Sequence, residues 1–519
     1  MVKVINLNQC LLMSLCLLVV AAGSVFGGTI YVKADAVPGG SGSSWANAYY
    51  LLQDGLDDAN SGDQVWVAQG TYYPTTKVGG ATDRYKTFQM KNGVEIYGGF
   101  PNSGNPTLAD RDPNTHETVL SGDIGTIGDN SDNCYHVFYH TTGTNLDATA
   151  VLDGFIITNG NANGSAPHLW GAGMCNYNNN SPVVTNCKFS ANSAYLGGGM
   201  CNYTNCNPIV IHCIFSNNLA PGGTGGGMGN LNSSPTVINS IFKGNSATLG
   251  GGISNQDSNS IVTNCIFSSN IANYRGGGMF NNNPLSSGRS PEVKNCFFCG
   301  NQTYYPISGS DRGGGGICNY TNCNPKVTNC TFTYNKAYPG PGAGGGMYNY
   351  SNCNPTINNC TFSYNIAYDY GGGVANTNGS NIMATNCIIF YNMALTGLQI
   401  YNDGTSSALI TYSDVLGGYS GTGNIDINPL FVDVDGADNV FGTEDDNLHL
   451  KSYSPCIDKG DLLGDYSGQT DVDGEERVRY DNVDMGADEV FPIAGDIDMD
   501  EDVDFSDFAF FAGHWLKGT

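Results

Sequence analysis

From residue 171 onward the chain repeats one short arrangement of apolar and polar positions. The phrase GAGMCN (171–176) returns as GGGMCN (197–202), GGGMGN (225–230), GGGISN (250–255), GGGMFN (276–281), GGGICN (314–319), GGGMYN (344–349) and GGGVAN (371–376). A second block follows each after a short variable insert: VVTNCKFSAN (183–192), IVIHCIFSNN (209–218), TVINSIFKGN (236–245), IVTNCIFSSN (261–270), EVKNCFFCGN (292–301), KVTNCTFTYN (326–335), TINNCTFSYN (356–365) and MATNCIIFYN (383–392). The Met/Ile/Val position recurs after 26, 28, 25, 26, 38, 30 and 27 residues. Inside the second block short β-branched runs alternate with polar residues and are bounded by Gly, Asn and Pro, which is the pattern of strands. Nothing in the repeat has helical spacing.

A unit of this size cannot bury an apolar face alone. Stacking like units puts Met on Met, Cys on Cys and Phe on Phe in one continuous core, with successive coils paired as parallel strands about 4.8 Å apart. Right-handed crossover is the default for parallel strands. The expectation is an all-β chain, a right-handed parallel β-helix. The glycine runs then make tight corners without side-chain bulk, and the Asn of each F-x-x-N forms a ladder from coil to coil. The wide step between Met279 and Ile317 marks insertions, SSGRSP and QTYYPISGSDR, that should protrude as loops.

Cysteines repeat in register. Cys187, Cys213, Cys265, Cys296, Cys330, Cys360 and Cys387 share one position; a second file holds Cys175, Cys201 and Cys318, and a third Cys206, Cys323 and Cys353. Side chains stacked at the strand spacing stand slightly too far apart for relaxed disulfides, which favours buried thiols, with bridges open to the second and third files.

The flanks divide the chain further. Residues 1–28 carry Lys3, an apolar run from Leu11 to Ala22 and then small residues, which reads as a secretory signal peptide, too short in its apolar run to span a bilayer comfortably. Residues 29–170 read as an N-terminal cap and irregular coils. TIYVKADA (29–36) is a first strand there, and Leu51, Leu52, Gly55, Leu56 and Ala59 fall at helical spacing within 45–59, predicting a short helix that closes the open end of the stack. Residues 171–394 hold the eight regular coils, 395–490 a terminal segment of the β-helix, and 491–519 a separate tail.

The paired blocks resemble the GG-[small apolar] and F-x-x-N repeats of chlamydial polymorphic outer-membrane proteins and of the broader right-handed β-helix superfamily that includes pectate lyases. Phe189/Asn192, Phe215/Asn218, Phe242/Asn245, Phe267/Asn270, Phe298/Asn301, Phe332/Asn335 and Phe362/Asn365 carry the resemblance, and Ile389 replaces Phe ahead of Asn392. It is specific for fold and hardly specific for function. NPLFVDVDG, DNLHLKSYSPCIDKGD and DVDGEERVRYDNVDMGADE look like the terminal segment of exported bacterial β-helix proteins.

Charge separates the parts. Residues 423–519 hold 25 Asp and Glu against 5 Lys and Arg, whereas 171–394 hold 4 acids against 8 bases. The body has no basic stripe of the kind nucleic acid requires, and the end attracts cations. Within GDIDMDEDVDFSDFAFFAGHWL (495–516), Asp496, Asp498, Asp500, Asp504 and Asp507 stand at positions 1, 3, 5, 9 and 12 of a calcium loop, with Asp502 at position 7, where the carbonyl serves. Hard oxygen donors so spaced suit Ca2+. Phe508, Phe511, Ala512 and Trp515 line one face of the helix that should follow. The motif resembles one half of a type I dockerin, an EF-hand-like module that docks onto cohesin domains in polysaccharide-degrading assemblies. Glu501 at position 6 and the single loop depart from that pattern. The resemblance implies a cohesin-like or cell-surface partner.

Elsewhere candidate chemistry is sparse. The four acids of 171–394, Asp257, Glu292, Asp311 and Asp369, occupy different repeat frames and make no acid/base cluster. Arg289, Asp311 and Arg312 share the insertion and can line a sugar groove, against the simpler reading of a solvated loop. Cys134, His136 and His140 suggest a metal, but residues four apart on a strand stand roughly 13 Å from each other, too far to chelate one ion. The acids of 433–446 are a candidate second cation site or a solvated loop. The expected function is a non-catalytic exported or surface scaffold, secreted or on the cell surface, that displays loops for adhesion or glycan contact and is attached through the calcium-binding tail. The alternative is a polysaccharide lyase or hydrolase, or an accessory subunit, delivered by the tail.

Overall fold

The computed structural model describes residues 27–304, 313–338, 344–478 and 482–490. Four parallel sheets of 13, 12, 10 and 8 strands run along a stack, and each coil from Met174 to Ala367 contributes one short strand to each. One coil illustrates the rest: Met200–Tyr203, Ile209–Ile211, Ile214–Ser216 and Leu219–Thr224. We call the sheets by their inward residues, the Met-, Val-, Phe- and Ala-sheets. Register is that of the repeat: Met174 pairs with Met200 and Met200 with Met228, Val184 with Val210, Phe189 with Phe215.

The second block is two strands. Asn186, His212, Asn239, Asn264, Asn295, Asn329, Asn359 and Asn386 all adopt φ near +50° and turn the chain between the Val- and Phe-sheets. Asn tolerates this left-handed conformation better than other side-chain residues. The Asn before each Cys is a corner, and the Cys after it points inward. The glycine run makes a different corner. Gly197 has φ +65°, and a Cβ on Gly198 or Gly199 would fall 2.6 Å from the carbonyl oxygen of Gly226 or Gly227 in the next coil.

Inside, the rings of Phe189, Phe215, Phe242, Phe267, Phe298, Phe332 and Phe362 stack with centroids 4.4–5.0 Å apart and planes within 6°. That spacing is the inter-strand repeat. Two asparagine ladders flank this column. The expected one runs from Asn192 to Asn392, each Nδ2 donating to the next Oδ1, and ends on Gln399. A second runs through the Asn of the glycine phrase, Asn176 to Asn402. His140 Nδ1 meets its first Oδ1 at 2.7 Å, and the last amide donates to the Tyr419 hydroxyl. All 16 cysteines among the described residues are buried and unbridged, including the second and third files. Burial pushes Cys134, Cys353 and Cys387 up to about 12, so these thiols stay protonated near neutrality.

The predicted helix forms over Leu52–Asp58 only. Tyr49 exchanges backbone hydrogen bonds with the first strand instead, accepting from Lys33 and donating to Tyr31, while Trp45–Asn47 is a single 3-10 turn. Gly55 packs over Ile30, Val32 and Val65, so the helix closes that end of the core as expected. No described helix is long and apolar enough to cross a membrane.

Past the strand Asp414–Val415 the chain leaves the stack. It folds back along the outer face of the Phe-sheet, where Phe431, Leu448, Leu450, Cys456 and Met485 cover Ile388 and Phe390. Phe441 stacks on Tyr334 and packs at a tilt against Tyr364 of the coils beneath. Corner asparagines serve as its anchors: Asn295 donates to the Asp471 carbonyl, Asn329 to that of Thr470 and Asn386 to the Tyr466 hydroxyl. The apolar outward residues Ile388 and Phe390 of the Phe-sheet are explained by this cover.

Candidate functional sites

Two places combine exposure with chemistry. The first lies on the Ala-sheet. Its strands Gln302–Thr303, Lys336–Ala337 and Ile366–Ala367 place Thr303, Ala337 and Ala367 inward, so the next residue of each, Tyr304, Tyr338 and Tyr368, points outward. Backbone N–H groups of the three donate to Ala272, Thr303 and Ala337, which keeps the file in register. Ring centroids are 5.2 and 5.3 Å apart, the first pair edge-on and the second nearly parallel. Tyr304 and Tyr368 are each 53% exposed and Tyr338 is half-buried. The phrase A/T-Y after Asn192, Asn301, Asn335 and Asn365 (SAY, QTY, KAY, IAY) carries this signal in the sequence, and it was legible only once the Ala was known to point inward.

The second lies under the terminal segment, where a cavity of about 350 Å³ opens between that segment and the Phe-sheet, lined by Ile266, Phe297, Thr331, His449, Asp473 and Asp488 among others. In the strand Asn447–Leu450, Leu448 and Leu450 are buried against the stack, and His449 alternates away from them. Asp473 sits on a turn held by Asp471, whose Oδ1 accepts the N–H groups of Asp473 and Glu475 at 2.9 Å. Asp488 accepts the Leu450 N–H on Oδ2 at 2.8 Å. His449 Nε2 and Asp473 Oδ2 are 3.2 Å apart, and one ligand atom from each of the three residues lies within 4.8 Å of the others. Burial pushes Asp488 up to about 6, with His449 beside it pulling the other way.

Around this group the segment is held by a buried charge. The Arg477 guanidinium is fully enclosed and donates to the carbonyls of Asp484, Gly486 and Ala487, with Glu489 3.8 Å from its Nε. Burial also pushes Asp414, beneath Cys456, up to about 7.

The sequence candidates fall elsewhere. Asp496, Asp498, Asp500, Asp502, Asp504 and Asp507 of the calcium loop lie outside the described residues, as do Asp311 and Arg312; Arg289 donates to the Asp257 carbonyl at the foot of its loop. Cys134, His136 and His140 do not converge on one point. His136 meets His168 at 2.9 Å and the Gly171 carbonyl at 3.0 Å, His140 caps the second asparagine ladder, and both imidazoles are buried, which lowers them to about 3 and about 4. The acids of 433–446 satisfy one another's turn. Asp438 and Asp446 accept the N–H groups of Val440 and Gly442, Asp445 accepts that of Asp438, and Glu444 reaches back to Lys243 and Ser268. Among the described residues the group able to hold a metal is His449 with Asp473 and Asp488. It escaped the sequence reading because 24 and 15 residues separate its members in an evenly acidic segment. The lone histidine there was the available signal.

Residues 229–412 match the family model described as right handed beta helix region. No curated protein matches the chain. Among solved structures, pectate lyase Pel9A aligns with 17% identity over 90% of this chain and 98% of that one, with a TM-score of 0.46. A rhamnogalacturonan lyase aligns with 11% identity over 81% and 96%, at a TM-score of 0.28. The complex of XylC with xylose aligns with 9% identity over 79% and 88%, at 0.34. The chain is an all-β parallel β-helix whose central coils carry the right handed beta helix region.

Proposed function

We propose that this protein is an exported or surface-held β-helix that contacts polysaccharide through the tyrosine file Tyr304–Tyr338–Tyr368 and carries out no chemistry on it. The file is the observation that supports the reading. Tyrosine offers a rigid amphipathic surface with little entropy to lose, and three in register match an elongated ligand of low charge. The coils around it bear few charges, so ionic ligands gain little there. A rigid stack of buried ladders suits a scaffold, which needs fixed spacing more than motion.

A catalytic reading, as a polysaccharide lyase or hydrolase, draws on the imidazole and carboxylates of His449, Asp473 and Asp488 beside a cavity. Incubating the full chain with a panel of polyuronates and neutral glycans separates the two. Binding with no new unsaturated or reducing ends is expected; release of either places the protein among the enzymes.

Attachment is assigned to the tail. Asp496, Asp498, Asp500, Asp504 and Asp507 with the Asp502 carbonyl form a Ca2+ loop, and a cohesin-like or cell-surface partner docks on the helix after it. Calorimetric titration of the full chain with Ca2+ should give one site that Asp496→Asn with Asp500→Asn removes. Unchanged binding in that double variant would discard the loop.

A further inference from the structure

His449, Asp473 and Asp488 come from three pieces of the terminal segment, a strand, a turn and the run after Gly486, each placed by its own backbone contacts. The set differs from an acidic cluster in having an imidazole nitrogen as one donor. Its 3.2 Å separation from Asp473 Oδ2 is that of a tetrahedral edge, about 3.3 Å when metal–ligand bonds are about 2.0 Å. Asp488 completes the group from below. It is only 8% exposed, and one backbone N–H on Oδ2 leaves most of its lone-pair capacity unused. A carboxylate kept that dry gains from a neighbouring cation.

The geometry points to a binding site for one divalent transition cation of the zinc class on His449, Asp473 and Asp488, pinning the terminal segment to itself against the Phe-sheet. One nitrogen and two oxygens suit zinc, whereas calcium takes six to eight oxygens. Three protein ligands leave a fourth position, and all three residues line the cavity. The ion would tie Leu450, which covers Ile388 and Phe390, to the turn that Asn295 and Asn329 anchor. This site is independent of the tyrosine file and of the calcium loop.

The test uses the full chain stripped with a chelator and titrated with zinc chloride by calorimetry. One equivalent should bind, and thermal unfolding should move upward with it. His449→Ala and Asp473→Asn should each weaken binding by on the order of 100-fold or more, since loss of even an outer-shell partner costs 10–100-fold. Their side chains are 40% and 52% exposed, so both variants should keep the far-ultraviolet signature of the stack. Asp498→Asn with Asp500→Asn should bind zinc as the parent does, which separates this site from the tail. Cobalt(II) in place of zinc should give the intense visible absorption of tetrahedral coordination in the parent and lose it in His449→Ala. Absence of a stoichiometric zinc site in the parent, or parental affinity in His449→Ala, would overturn the assignment.

Discussion

Replacing Phe267 with alanine should lower the stability of the stack by about 3–5 kcal/mol, the range for truncating a buried aromatic. The ring is fully buried, its centroid 5.0 Å from that of Phe242 and 4.5 Å from that of Phe298. Those neighbours cannot close the gap, because each is fixed by the register that pairs Phe242, Phe267 and Phe298 across adjacent strands. The cavity therefore persists. In a solenoid each coil touches only its neighbours, so the loss should be local. Hydrogen exchange should rise across the coils holding Phe242, Phe267 and Phe298, while the N-terminal coils around Ile96 and Leu152 keep their protection. Denaturant unfolding gives the magnitude, and a cost below about 1 kcal/mol would mean that the column is not tightly packed.

Asn245→Leu should be comparably severe for a different reason. Leucine keeps the branched outline of asparagine but exchanges its amide oxygen and nitrogen for two methyl groups. Asn245 Oδ1 accepts from both the backbone and side-chain amides of Asn218, and its Nδ2 donates to the Phe215 carbonyl and to Asn270. Leucine strands the two Asn218 donors and the Phe215 acceptor in a dry interior, at about 1–3 kcal/mol for each group left unpaired. A total of roughly 3–5 kcal/mol is expected, allowing for partial relaxation. Asn245→Gln, which keeps the amide but not its reach, should fall between. Denaturant midpoints of the two variants check this, and a neutral leucine variant would show the ladder to be dispensable.

The repeat made the core legible because every coil meets the same neighbours, so one residue pattern is forced eight times. Phe on Phe, Asn192 on Asn218 and the inward cysteines follow from stacking alone. What stacking does not specify is how the chain turns. The alternation across VVTNCKFSAN reads equally as one strand or two, and only the left-handed backbone at Asn186 divides it. The ladder from Asn176 was hidden in the glycine phrase, where attention falls on the corner. The helix shortened because Tyr49 found a partner in the first strand, a long-range contact that local spacing does not contain. The terminal segment was least legible. Its fold depends on the outer face of the Phe-sheet, so His449, Asp473 and Asp488 become neighbours only after Leu448, Leu450 and Met485 are buried there.

The tyrosine file is the feature on which the functional account rests, and a glycan array of the full chain against Tyr304→Ala/Tyr338→Ala/Tyr368→Ala addresses it directly. The three side chains point out of the Ala-sheet, so the triple variant should keep the folded stack and lose only the ring–ring contacts of the file. Binding through the file predicts that the parent retains a set of neutral or weakly charged polysaccharides and that the triple variant loses them. Equal retention by both proteins would contradict it.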